Sequence, residues 1–422
     1  MIVKNNLIEI AEDNIFKNDT LGREESIVDL SKLLLSTTEP FVFSINGSWG
    51  TGKTTFVKLW EQYLKKEHEA HSLYFSAWED DFSNEPLIAI LGSLNGYIEE
   101  NFKDNHDVID KFNQAKEFGG KVLKRGLPAF VKGMTGGVLD LDKGVESAMG
   151  AISEETAKGL IENYSKEKEI TEQFKQSINE LLELLDSEQP FIIFIDELDR
   201  CRPLYAIELL ERIKHLFGIE KLIFVLSIDK EQLSESIKSQ YGNIDTDNYL
   251  RRFIDLEYKL SNLSFNSFCD KLYQKFKLQQ LLDNKRIYEN GSFLRTLKKI
   301  VFAFPLSLRQ IEQVFSKLHI LFKTLDIEEN INIDLLVILE VIKSYQPSLY
   351  HYILEDKRKE LYFSISEKLE DSDKVLEIVG NIISNSFGSL EEYEKSEYWK
   401  SSMELVIKKI EFLDKFNMES NS

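Results

Sequence analysis

At 422 residues, with 42% hydrophobic and 29% charged side chains, the chain has core material for about two or three domains. A formal net charge of −20 excludes a surface that coats nucleic acid non-specifically, because phosphate contacts need a basic face. The two cysteines, Cys201 and Cys269, have neither a paired nor a metal-like spacing, so no disulfide framework is expected and a reducing cytoplasm is the expected setting.

The opening MIVKNNLIEIAEDNIF is acidic and interrupted, unlike a secretory leader, and no stretch reaches the roughly 18 apolar residues of a membrane span. Ile27, Leu30, Leu33 and Leu34 then recur at helical spacing. The run PFVFSIN over Pro40–Asn46 suits a strand buried on both faces. After a glycine-rich turn, Phe56, Leu59, Trp60, Tyr63 and Leu64 line one side of a helix, and HSLYFSAW over His71–Trp78 reads as the next strand. FIIFI at Phe191–Ile195 and LIFVL at Leu222–Leu226 are two further strands, separated by a helix marked by Ile207, Leu210, Ile213 and Phe217. Strands alternating with helices predict an α/β fold with a doubly wound parallel sheet. From about residue 260 the strand signals vanish, and Ile311, Val314, Phe315 and Leu318 mark the clearest helical stripe.

About 110 residues separate the second and third strands, far more than one crossover helix requires. This insertion reads as helical, with a glycine-rich middle at Gly119–Gly137 that carries Lys121, Lys124, Arg125 and Lys132. The expected organisation is an NTPase core at 1–90 and 185–258, a helical insertion at 91–184, a helical lid at 259–345 and an acidic helical region at 346–422.

Gly47-Ser-Trp-Gly-Thr-Gly-Lys-Thr54 fits GxxxxGK[ST] in full, between an apolar strand and an amphipathic helix. Glycines let successive N–H groups curl toward phosphates, and the helix that follows turns its positive end the same way. Gly47, Ser48, Trp49, Gly50, Thr51, Gly52, Lys53, Thr54 and Thr55 are the expected nucleotide-binding set. Lys53 would reach the β- and γ-phosphates and Thr54 would ligate Mg²⁺. The third strand runs into Asp196-Glu197, which suits a magnesium-organising carboxylate followed by a general base at the end of the sheet where ligands bind. No NKxD-type guanine motif follows, so ATP is expected over GTP. An Asp-Glu pair at this point is also unusual for a small-molecule kinase. The six histidines show no HxH or HExxH spacing.

Together, GSWGTGKTT, FSAW and IDELDRCRP resemble the KAP family of P-loop NTPases across roughly residues 15–330, with LSID at Leu226–Asp229 and YLRRFID at Tyr249–Asp255 fitting its later pattern. The resemblance implies an additional-strand, catalytic-glutamate ATPase near the signalling STAND proteins. It implies that Ser227 or Asp229 senses the γ-phosphate, that Arg309 is a lid arginine rather than a solvated one, and that Asp19–Arg23 packs near adenine rather than merely capping a helix. Arg200 and Arg202 stay open between a phosphate contact, an ion pair and a finger presented to a second subunit. Cys201 is expected to pack rather than react. Many family members carry transmembrane helices between the two motifs. Here that stretch is too polar to span, so a folded helical insert is expected over peripheral membrane contact. Relatives are associated with phage exclusion. The expected function is therefore an ATPase that powers or switches a multi-protein complex in bacterial defence, through self-association or a partner protein. The alternative is an assembly scaffold in which ATP binding, not turnover, carries the signal.

Overall fold

The computed structural model describes residues 14–37, 39–83, 85–125, 154–185, 189–216, 218–260, 265–283, 292–325, 331–354 and 397–414. Strands β1 (Phe41–Asn46), β2 (Ser72–Ser76), β3 (Phe191–Asp196), β4 (Leu222–Ile228) and β5 (Leu256–Lys259) form one parallel sheet in the order β2-β3-β4-β1-β5. Every residue of β3 and β4 is buried, as expected of strands covered on both faces. β4 lies between β1 and β3 and so separates the glycine loop's strand from the acid-tipped strand. The expected doubly wound sheet is borne out, with a fifth strand added. β5 (LEYK) escapes a sequence reading because it is an edge strand with mostly exposed residues and no apolar run.

Helices α1 (Glu24–Leu35) and α2 (Lys53–Glu67) cover one face. Their core joins Ile27 and Leu34 to Phe56, Trp60, Phe43, Ile45 and Phe194. Trp60 sits wholly buried between the rings of Phe43 and Phe194, and its indole N–H donates to Ser31 Oγ at 2.8 Å. That bond lets a polar atom enter the core without an unmet donor.

The other face takes α3 (Pro86–Asn101), α4 (His106–Arg125), α5 (Glu154–Leu184), α6 (Pro203–Leu216), α7 (Lys230–Tyr241) and α8 (Thr246–Leu250). Ile98, Phe112, Phe174 and Leu181, which lie between β2 and β3 in the chain, share one apolar cluster with Phe75, Ile193 and Phe224 of the sheet. The insertion helices are thus built onto the sheet's own core. Lys121 pairs with Glu117 at 2.7 Å, while residues 126–137, Lys132 included, lie outside the described residues.

Helices α9 (Phe265–Lys275), α10 (Leu278–Asp283), α11 (Ser292–Ala303), α12 (Leu308–Thr324), α13 (Ile333–Tyr345), α14 (Pro347–Leu354) and α15 (Glu397–Asp414) form a second core that includes Leu272, Phe293, Phe315, Leu339 and Ile410. Much of the acidic region, 355–396 and 415–422, lies outside the described residues. Among the described residues no helix is long and apolar enough to cross a membrane.

Candidate functional site

The glycine loop leaves the C-terminal end of β1 and is held there by the Gly47 N–H, which donates to Ile228 O at 3.1 Å. Gly50 (φ +79°) and Gly52 (φ +84°) take left-handed backbone, which a side chain would strain. Between them, Thr51 donates through both its hydroxyl (2.7 Å) and its amide (3.3 Å) to Ser48 O. Thr54 and Thr55 lie in the first turn of α2, whose leading N–H groups lack helical partners. The Lys53 ammonium folds back on Gly47 O at 2.6 Å and Ser48 O at 3.4 Å. Burial lowers the Lys53 pKa, and the carboxylates of Asp199, Asp229 and Asp196 oppose that shift.

Asp196 ends β3 with no exposure to solvent. It accepts the Glu197 N–H at 2.9 Å and the Tyr74 hydroxyl at 3.1 Å. Glu197 holds φ +63°, a left-handed conformation that costs a non-glycine residue about 1–3 kcal/mol and is often kept at functional sites. One carboxylate oxygen pairs with Arg200 at 2.7 Å and the other accepts from Ser76 Oγ at 3.1 Å. Burial raises the Glu197 pKa, Arg200 counters it and Asp196 adds to it.

In sheet register, Ser76, Asp196 and Ser227 lie side by side. Among the described residues the buried Ser227 hydroxyl has no hydrogen-bond partner, which suits a group that receives a ligand. Asp229 instead caps α7 through Gln232 N at 3.3 Å and accepts the Trp49 backbone N–H at 3.1 Å. Asp199 accepts the Trp49 indole N–H, so two carboxylates that follow the neighbouring strands β3 and β4 pin the loop.

Both arginines take the ion-pair option. Arg200 lies on Glu197 and over the Trp78 ring at 5.8 Å, while Arg202 engages Asp81 through Nε at 2.7 Å and its amide at 2.8 Å. Cys201 is buried, and burial drives its thiol pKa far up, in keeping with a packing role.

The start of α12 rests on the loop. A Cβ at Gly50 would lie 3.0 Å from Ser307 Oγ and 3.2 Å from Arg309 Cβ, and one at Gly52 would lie 3.4 Å from Leu308 Cδ1. Arg309 is therefore beside the loop, half-buried. In the Asp19–Arg23 turn, Asp19 accepts from the Leu21 N–H at 3.0 Å and from the Arg23 N–H. The buried Arg23 guanidinium then donates to Thr51 O at 3.3 Å, so a capping turn also braces the loop.

The sequence reading gives Ser76, Tyr74 and Asp199 no role, although FSAW and IDELDRCRP hold Ser76 and Asp199, and it names Arg23 only within the Asp19–Arg23 segment. Gly50→Val is expected to cost about 1–3 kcal/mol, because a branched side chain meets both positive φ and the α12 start. A thermal melt checks the loss of stability, and titration with a fluorescent nucleotide checks the expected loss of affinity.

The donors present fit a magnesium nucleotide. Gly50 and Gly52 form a cradle that side chains would crowd, Lys53 is a buried cation, and the Thr54 hydroxyl and Asp196 carboxylate are hard oxygen ligands.

A parallel sheet with one strand between its loop-bearing and acid-tipped strands, and a glycine loop opening a helix, defines a P-loop NTPase. The chain belongs to the KAP family, whose P-loop domain matches residues 23–346. It is 21% identical over 345 residues to the phage T7 exclusion protein of Escherichia coli (strain K12), a match that covers 74% of this chain. The chain spans 43% of that relative's length. Among solved structures it is similar to the ORC2 protein of Aeropyrum pernix in ADPNP-ADP complexes (11% identity, 98% of this chain and 89% of that one, TM-score 0.35). It is also similar to the ORC1 protein of Aeropyrum pernix in complex with DNA (12% identity, 93% and 84%, TM-score 0.29).

Proposed function

We propose that the chain binds Mg-ATP along Gly47–Thr55 and hydrolyses it with Glu197 as general base, in the cytoplasm. One observation carries this reading. The glycine loop and the Asp196-Glu197 pair meet at one end of the sheet, with Glu197 held in a strained backbone conformation. Bound magnesium would neutralise phosphate charge from the Thr54 and Asp196 side. Lys53 exchanges its loop carbonyls for phosphate oxygens, Ser227 offers its free hydroxyl beside Asp196, and Arg309 approaches from α12. Glu197 takes the proton of an attacking water once Arg200 or Ser76 releases one of its oxygens.

Likeness to a phage exclusion protein supports a role in anti-phage defence, in which turnover drives or resets a complex formed with a partner or a second copy. A second reading, a scaffold gated by ATP binding alone, draws on the fact that both Glu197 oxygens are engaged.

The test is phosphate release from Mg-ATP by the purified chain. Wild-type turnover is expected, with Lys53→Ala losing nucleotide binding and turnover together. Equal phosphate release by both proteins would sink the proposal.

A further inference from the structure

Among the described residues β2 is an outer strand of the sheet, and only one of its edges is paired. The Ile192 N–H donates to His71 O and the Ala77 N–H to Asp196 O, so His71, Leu73, Phe75 and Ala77 face β3. By the period of two, Ser72, Tyr74 and Ser76 turn their amides and carbonyls outward.

A cleft of about 480 Å³ runs along this outer edge. Ser72 and Tyr74 form its floor, α2 walls it on one face of the sheet through Glu61, and α3 walls it on the other through Gly96 and Tyr97. The walls are firm: the Tyr97 hydroxyl bonds to His71 Nδ1 at 2.8 Å, and His71 Nε2 bonds to Leu185 O at 3.2 Å. At Gly96 an added Cβ would meet nothing within 4 Å, so the α3 wall stands back from the strand.

The outward Tyr74 N–H is held by the Glu61 carboxyl, a side chain standing where an added strand's carbonyl would be. Burial pushes that carboxyl up to about 7 against the pull of Lys65 and Lys58, and a cation entering the cleft would favour its ionised form. Glu69 and Glu100 also line the cleft and outweigh the charge of Lys65.

We propose that this edge docks an extended, basic peptide segment of a partner protein. The peptide takes the Tyr74 N–H from Glu61, pairs with Ser72 and Tyr74 as an added strand, and sets Lys or Arg side chains against the displaced Glu61 carboxyl, Glu69 and Glu100. Main-chain hydrogen bonds supply affinity and the acidic walls supply selection. The site lies outside the glycine loop, so binding is read without nucleotide.

The experiment titrates the full chain into a fluorescein-labelled peptide alternating valine with lysine and arginine, at physiological salt, and follows anisotropy. Two comparison peptides carry glutamate in place of the cations, or N-methyl groups on alternate amides. Saturable binding of the basic peptide is expected, weakened about tenfold or more by N-methylation and by Gly96→Trp, which projects an indole into the cleft. Glu69→Lys with Glu100→Lys should turn the preference toward the acidic peptide. Circular dichroism melts verify that each variant is folded. Absence of saturable binding overturns the proposal. So does binding indifferent to N-methylation, which would be plain charge attraction, or binding indifferent to Gly96→Trp, which would lie elsewhere. A dimer of the chain alone that Gly96→Trp dissolves would assign the edge to a second copy and overturn the partner.

Discussion

Glu197→Gln is expected to lower Mg-ATP turnover by about 10²–10⁴-fold, the range a positioned general base contributes. ATP affinity should change little, because the loop contacts and Lys53 lie on β1 and α2, not on Glu197. The amide keeps the side chain's shape and still accepts from Ser76, but it cannot take a proton from water, and it releases Arg200 from its ion pair. Phosphate release measures the first effect and fluorescent-nucleotide titration the second. Turnover within threefold of wild type, on the scale of ~10²-fold effects for a general base, would remove Glu197 from that role. The same variant separates the two functional readings. An ATP-powered complex fails when turnover stops, whereas a binding-gated scaffold stays locked in its ATP state. Light scattering of Glu197→Gln in Mg-ATP and then in Mg-ADP reads this directly. A mass that rises only with ATP supports assembly gated by the nucleotide.

Lys317→Met should destabilise the helical core of α9–α15 by about 3–5 kcal/mol, the range for stranding one member of a buried ion pair. Glu340 on α13 is 1% exposed, and its Oε1 takes both the Lys317 ammonium from α12 and the Ser344 hydroxyl at 3.2 Å. Without Lys317 the carboxylate keeps one neutral donor, Ser344, at a buried position. Replacing both partners, Lys317→Met with Glu340→Leu, should restore most of the loss, because no charge is then left uncompensated. Urea unfolding of the single and double variants is the check. A single variant as stable as wild type would show that solvent reaches Glu340. The pair also ties α12 to α13, and α12 is the helix whose start rests on Gly50, so the single variant should loosen that contact as well.

Much of the core and the heart of the candidate site were legible in the chain, because their signals are local. FVFSIN, FIIFI and LIFVL are short apolar runs of the length and β-branched and aromatic content that suit strands buried on both sides, and the structure buries their apolar side chains in two layers. The glycine loop is spelled out by the positive φ that Gly50 and Gly52 must adopt, and the Asp196-Glu197 pair by its place at a strand's end. Other features depend on neighbours distant in sequence. β5 is polar and becomes a strand only because β1 offers it an edge. Ser76 and Tyr74 reach the acidic pair through the pairing register of β2 with β3. Arg200 and Arg202 are two residues apart and meet different fates, since Asp81, 121 residues before Arg202, claims one while Glu197 claims the other. Periodicity and backbone preference act within a few residues and are written in the order of the chain. Register, edge and ion-pair choice are set by which surfaces meet, so they were decided only when the sheet closed and α12 came down on the glycine loop.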